Sequence, residues 1–218
     1  MNITIRRATE YDVGQVSELA ATSFGGAITD VTRIERYYRN LLNDGGIMAV
    51  AETDGPPLKT VGLITCSKGQ VNGQPKSIQT SLSSLDDFWS IGELAVDCDY
   101  RKQRIGSRLL AAIQTMVAQQ PDAPKTLEAT CWVNGGADQS INLFLRDGFE
   151  KVIQFNDDPQ CCSRYPDCGC THWLVVKHLT PTTESEPFSW IGKGSGPRNS
   201  SDPEQIDAIM AKGFGRGN

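Results

Sequence analysis

Four cations crowd one glycine in a chain that is otherwise acidic. In LAVDCDYRKQRIGSRLL (94–110), Arg101, Lys102, Arg104 and Arg108 surround Gly106, while the 218-residue chain carries a net charge of −5. The preceding SIGELAV (90–96) reads as a strand, and Ile105, Leu109, Ile113, Met116 and Val117 form one stripe of a following helix. A strand that turns through glycine into a helix presents N–H groups with no intrahelical acceptor, together with the positive end of the aligned peptide dipoles. Such a corner binds anions, phosphate above all. Gly106 lets a ligand approach the backbone, Ser107 adds a hydroxyl, and the flanking Arg and Lys side chains add charge. A merely solvated cationic face is the bland alternative.

A second cluster lies in CCSRYPDCGCTHW (161–173), where Cys161, Cys162, Cys168, Cys170 and His172 are packed closely. Zinc sites favour Cys pairs separated by two to four intervening residues, and neither the adjacent pair nor the Cys-x-Cys pair fits. Reduced thiols in a compact loop are expected there, with zinc the lesser alternative. Cys66, Cys98 and Cys131 sit in apolar, strand-like runs and are expected to be buried and inert.

The elements around these residues follow from pattern. NITIRRA alternates as a first strand, and Thr9-Glu-Tyr-Asp12 has the form of a helix start. Helices are expected from Val13 and over Val31 to Leu42, and strands over IMAVAE and KTVGLITC. The polar stretch 67–88 is expected as a loop or as an extra hairpin around Asn72-Gly73. TLEATCWV (126–133) is a further strand, Gln139 to Arg146 a short helix, and FEKVIQF and THWLVVKHL a closing antiparallel pair. The fold class is therefore α/β (α+β): a single mixed, mostly antiparallel sheet of about seven strands flanked by helices. Residues 1–179 are expected to form the domain. Residues 180–218 are expected as a polar tail with a short helix at 202–212.

Acidic composition argues against nucleic-acid partners, and no apolar run approaches membrane-spanning length. A cytoplasmic protein, monomeric or homodimeric, is the expectation.

The arrangement resembles the GCN5-related N-acetyltransferase (GNAT) superfamily. Leu94-Ala-Val96 followed by Arg101-Lys-Gln-Arg-Ile-Gly106 resembles that family's strand and pyrophosphate loop, and SINLFLRDGF (140–149) resembles its later signature. The resemblance implies acetyl-CoA as cosubstrate. Arg101, Lys102, Gln103, Arg104, Ile105, Gly106 and Ser107 would wrap the pyrophosphate, chiefly through backbone N–H groups. Leu94, Ala95 and Val96 would offer strand backbone to the pantetheine amides. Asn134 and Ser140 would line the same arm. The implied activity is acetyl transfer to a primary amine of a small molecule or protein; the alternative is an acyl-CoA-binding protein with little turnover.

Three departures bear on that reading. Arg104 stands where the family loop has its first glycine, which is tolerable if its backbone keeps an ordinary φ. Gly135-Gly136-Ala137 looks like an insertion between Asn134 and Ser140. Phe144 stands where the family often carries the tyrosine that reprotonates the leaving thiolate. Tyr165 is the expected substitute donor. The positions where members carry a base on the fourth strand are Ser90 and Gly92. Glu93 becomes the candidate base if a bulge turns it to their face, with Asp86 and Asp87 as alternatives acting through water.

Overall fold

Thr9 opens the first helical segment. Its N–H donates to Asp12 Oδ2 at 2.7 Å, closing a capping box. The same carboxylate takes the Arg6 guanidinium, which also reaches Glu52, so the chain entry is tied to the sheet. The computed structural model describes residues 2–23, 30–72, 74–133, 139–155 and 171–179. All of these lie within the compact unit Met1–Thr180.

In chain order the elements are β1 (Ile3–Arg7), a 3-10 turn (Glu10–Asp12), α1 (Val13–Ser23), α2 (Val31–Asn43), β2 (Ile47–Thr53) and β3 (Thr60–Lys68). Then come α3 (Lys76–Ser83), β4 (Phe88–Val96), a second 3-10 turn (Cys98–Tyr100) and α4 (Ile105–Ala118). β5 (Thr126–Val133), α5 (Gln139–Arg146), β6 (Glu150–Phe155) and β7 (Thr171–His178) complete the unit. The seven strands form one sheet in the order β1-β2-β3-β4-β5-β7-β6. Every neighbouring pair is antiparallel except β4 and β5.

Alternation sorts the side chains into two layers. One face of the sheet packs Ile64, Cys66, Trp89, Ile91, Leu127 and Ala129 against the apolar stripe of α4 and against Ile141 and Phe144 of α5. On the other, Met48, Val50, Leu63 and Ala95 meet α1 and α2, and Phe88 and Leu174 meet Ile78 and Leu82 of α3. Helix α4 sits so close that a Cβ on Gly62 would lie 3.0 Å from Leu109 Cδ1.

Two expectations are corrected. The stretch 67–88 holds a helix, α3, rather than a loop or hairpin. Ile78 and Leu82, one turn apart, are buried, so tertiary packing orders a segment whose polar composition reads as loop. Cys98 is exposed, in the turn after β4, because the strand ends before it. Cys66 and Cys131 are buried as expected, and burial pushes the Cys131 thiol up to about 12.

Candidate active site

The two parallel strands at the centre of the sheet part company. β4 and β5 pair only from Phe88↔Thr126 to Ile91↔Ala129. Beyond that point β4 stays bonded to β3 as far as Gly62↔Val96, and β5 to β7 as far as Val133↔Thr171. Residues 92–96 therefore present an inner edge toward β5 with no ladder across it. That edge can receive an extended, amide-bearing ligand as if it were another strand.

The cationic corner lies just beyond this edge. Arg104 is the N-cap of α4 and has φ 60°, ψ 15°, and Lys102 has φ 63°. The condition of an ordinary φ at Arg104 is thus not met: the backbone is left-handed there with an arginine in place. A left-handed residue followed by the right-handed start of a helix gathers successive N–H groups into a concave nest for an anion. No side chain caps this helix start. Gly106 has an ordinary φ, and a Cβ there would meet the protein at 3.4 Å or more, so its missing side chain leaves room on the helix end. Two of the four cations are tied to the fold. Arg101 Nε donates to the Val96 carbonyl at 3.1 Å, fixing the loop to the end of β4. Arg108 Nη2 donates to the Ile3 carbonyl at 2.7 Å, away from the charge-neutralising role its position suggests.

The left-handed arginine has a measurable consequence. A Cβ in that conformation costs about 1–2 kcal/mol, and glycine returns roughly 0.5–1 kcal/mol of this as lost chain entropy. Arg104→Gly should therefore stabilise the ligand-free protein by about 0.5–1 kcal/mol, read as a shifted urea midpoint.

Glu93 owes its direction to a bulge. The β3–β4 register slips between Ile64↔Leu94 and Cys66↔Ile91, placing Gly92 and Glu93 opposite the single residue Thr65. The extra residue puts Glu93 on the face that carries Phe88 and Ser90, while Leu94 and Val96 pack toward α4 with Ile91. The Thr65 hydroxyl accepts from Glu93 N–H at 2.9 Å and donates to Glu93 Oε2 at 2.8 Å. The Tyr37 hydroxyl of α2 donates to the same oxygen at 3.3 Å. A Cβ on Gly92 would stand 2.7 Å from Thr65 Oγ1, so glycine is what lets this contact form. Burial, and then the neighbouring carboxylate, push the Tyr37 phenol well above its usual range.

Asp86 and Asp87 are not brought to the opening. They precede β4, at the end where it is still paired with β5, and Asp87 accepts the Lys125 N–H on its backbone carbonyl. Phe144 is 4% exposed and packs edge-on against Phe149 with ring centres 5.0 Å apart, so no hydroxyl stands there. Ser140 lies in the first turn of α5 and is half-buried. Asn134, Tyr165 and the cysteines at 161, 162, 168 and 170, with the zinc alternative they carry, lie outside the described residues. His172 is buried and stacks on Phe155.

Sequence reasoning passes over Glu128. It lies on β5 directly across from Ser90, one step before the strands separate, and is 5% exposed. Burial pushes its carboxyl up to about 7, with the Ser90 hydroxyl pulling weakly the other way. The one signal available was an acidic residue in the middle of the apolar run TLEATCWV.

A seven-stranded mixed sheet, forked between its two parallel strands beside an anion-accepting helix start, is the acyl-CoA N-acyltransferase fold. The Acetyltransferase (GNAT) family model matches residues 14–149, and the chain belongs to that family. Among solved structures, the ribosomal-protein-alanine N-acetyltransferase of Brucella melitensis is similar over 81% of this chain and 99% of its own, with TM-score 0.60 and 19% identity. YncA of Salmonella typhimurium, described as a putative acetyltransferase with its cofactor acetyl-CoA, is similar over 84% of this chain and 96% of its own (TM-score 0.60, 15% identity). NAA60 of Arabidopsis thaliana, in complex with a bisubstrate analogue, is similar over 83% and 100% (TM-score 0.60, 15% identity). A curated protein named thiazole synthase, from Methylococcus capsulatus, is 25% identical over 161 residues, 69% of this chain and 52% of that protein. The chain thus spans about half the length of that curated relative.

Proposed function

We propose that this protein transfers the acetyl group of acetyl-CoA to a primary amine, on a small molecule or a protein. The observation that carries the reading is the fork itself: strand backbone left unpaired beyond Ile91 and Ala129, leading to the nest at Lys102–Gly106. Bound acetyl-CoA would supply an activated acyl group. The chain's own part begins with the diphosphate, held by the amides of residues 102–107 and by the charges of Lys102 and Arg104. The inner edge at Leu94, Ala95 and Val96 would pair with the pantetheine amides and so aim the thioester at the fork. Holding both reactants there is itself worth about 7–11 kcal/mol of barrier. Glu93, fixed by Thr65 and Tyr37, stands as the carboxylate that meets the acceptor's ammonium. Tyr165 stands as the donor for the departing thiolate, and Asn134 and Ser140 as further contacts to the arm. The catalytic domain is residues 1–179, in a cytoplasmic monomer or homodimer with no resident metal and no nucleic-acid partner. Among the described residues no helix is long and apolar enough to cross a membrane.

The test is thiol release from acetyl-CoA against a panel of polyamines, aminoglycosides and peptides bearing free amines. Amine-dependent release is expected with at least one class. Glu93→Gln should lower kcat/KM for that amine roughly 10–100-fold, mainly through KM, as expected on losing a charge-assisted hydrogen bond. The buried phenyl ring of Phe144 favours the alternative, an acyl-CoA-binding protein with little turnover. Tight CoA binding without release on any amine would establish that reading instead.

A further inference from the structure

Along the sheet face that carries Glu93, burial falls off in step toward the fork. On β4, Phe88 is 9% exposed, Ser90 is half-buried and Gly92 is exposed. On β5, Thr126 and Glu128 are buried and Thr130 is exposed. The two strands are still paired at Ser90 and Glu128, and Glu128 lies on this shared face one rung before they separate. Among the described residues no Lys or Arg forms an ion pair with it. Its ladder neighbours are Ser90 on β4 and Val176 on β7, and neither offers a charge. A carboxyl placed this way gains nothing for the fold, since an apolar residue would fill the position without the desolvation penalty.

We propose that Glu128 is the proton acceptor of the transfer reaction, taking a proton from the acceptor ammonium at the fork. This inference rests on the acetyltransferase reading and assigns a step within it. One N–H bond of the ammonium breaks and its proton passes to the Glu128 carboxylate, leaving a neutral amine. The amine nitrogen then bonds to the thioester carbonyl carbon and the C–S bond breaks. The leaving thiolate takes one proton from its donor, the second N–H proton restores that donor, and Glu128 returns its own proton to solvent. Glu93, nearer the open end and already holding two hydroxyl donors on Oε2, keeps the task of drawing in the cation.

Burial supports the division of labour, because it holds the Glu128 carboxyl near pH 7, where a base is both ionised and able to accept. The other titratable groups around it are Glu93 on β4, Cys66 and Cys131 on the opposite face, and His172 and His178 at the two ends of β7. Burial raises both thiols above their ordinary range, so they stay protonated.

The experiment compares wild type with Glu128→Gln and Glu128→Asp, using acetyl-CoA and the best amine from the panel. Wild-type kcat/KM should rise through a midpoint near 7. Glu128→Gln should lose about 100-fold or more in kcat and flatten that limb, while Glu128→Asp recovers part of both. CoA affinity, measured by calorimetry, should stay within about twofold in both variants. Carbon-13 NMR of labelled Glu side chains supplies a reading independent of turnover: one carboxyl should titrate near neutrality, and its signal should vanish in Glu128→Gln. An active wild type whose pH profile survives in Glu128→Gln overturns this inference and leaves the acetyltransferase reading standing. A glutamate set that titrates wholly below pH 5 overturns it too. A wild type that binds CoA but acetylates no amine overturns both.

Discussion

Replacing Glu128 with glutamine should make the protein more stable at pH 8 and barely change it at pH 4. The carboxyl titrates at 4.5 when exposed and near 7 in its buried place. A folded-state value raised above the unfolded one means that the protonated native form is the favoured one. Stability is then intact below pH 4.5, declines as pH climbs from 4.5 to about 7, and is constant above. The shift corresponds to about 3 kcal/mol, and glutamine, neutral throughout, escapes it. Paired urea titrations of wild type and Glu128→Gln at the two pH values should show a difference that opens by that amount. For a chain of this size it corresponds to roughly 6–12 °C in Tm. Equal gaps at the two pH values would mean that the side chain is ionised at little cost. The same substitution is expected to abolish most of the turnover. Gain of stability with loss of rate is the signature of a group retained for chemistry.

Gly106→Ala should separate stability from ligand binding in a similar way. The added methyl meets only Leu143 Cδ2 at 3.4 Å and Val96 Cγ2 at 4.0 Å, ordinary contacts, and Gly106 already has a helical residue's φ. Alanine in place of glycine in a helix should stabilise the fold by up to ~1 kcal/mol. The methyl would nevertheless occupy the space in which an anion approaches the first N–H groups of α4. Two charge-assisted backbone bonds lengthened or lost are worth roughly 100-fold in CoA affinity. Thermal denaturation without ligand and calorimetry with CoA test the two halves. A variant that binds CoA as well as wild type would mean that the phosphates lie elsewhere.

The order of strands and helices was legible because each carries its own periodicity, and SIGELAV followed by a cationic turn and an apolar stripe admits few other foldings. The stretch 67–88 was not, since two buried residues, Ile78 and Leu82, decide its helix against a polar background. Arg104 illustrates a different limit. The residue type argues for ordinary backbone, yet the loop's geometry is imposed by the strand and helix at its two ends, and the side chain accommodates it. Glu93 shares the face of Ser90 only because β4 bulges at Gly92, a one-residue slip that alternation cannot reveal. Glu128 is plain to see in TLEATCWV, but its depth depends on β7, contributed by a segment some fifty residues further along. Pairing across the sheet made it a candidate; local sequence could not.

The central claim is that the amides opening α4 grip a coenzyme diphosphate while β4 holds its arm. The most direct measurement is a backbone amide NMR titration of nitrogen-15-labelled protein with acetyl-CoA. Large shifts are predicted for Lys102 through Ser107 and, separately, for Leu94 through Val96, with β1 and β2 unmoved. Saturating acetyl-CoA that leaves both segments unshifted would contradict the account.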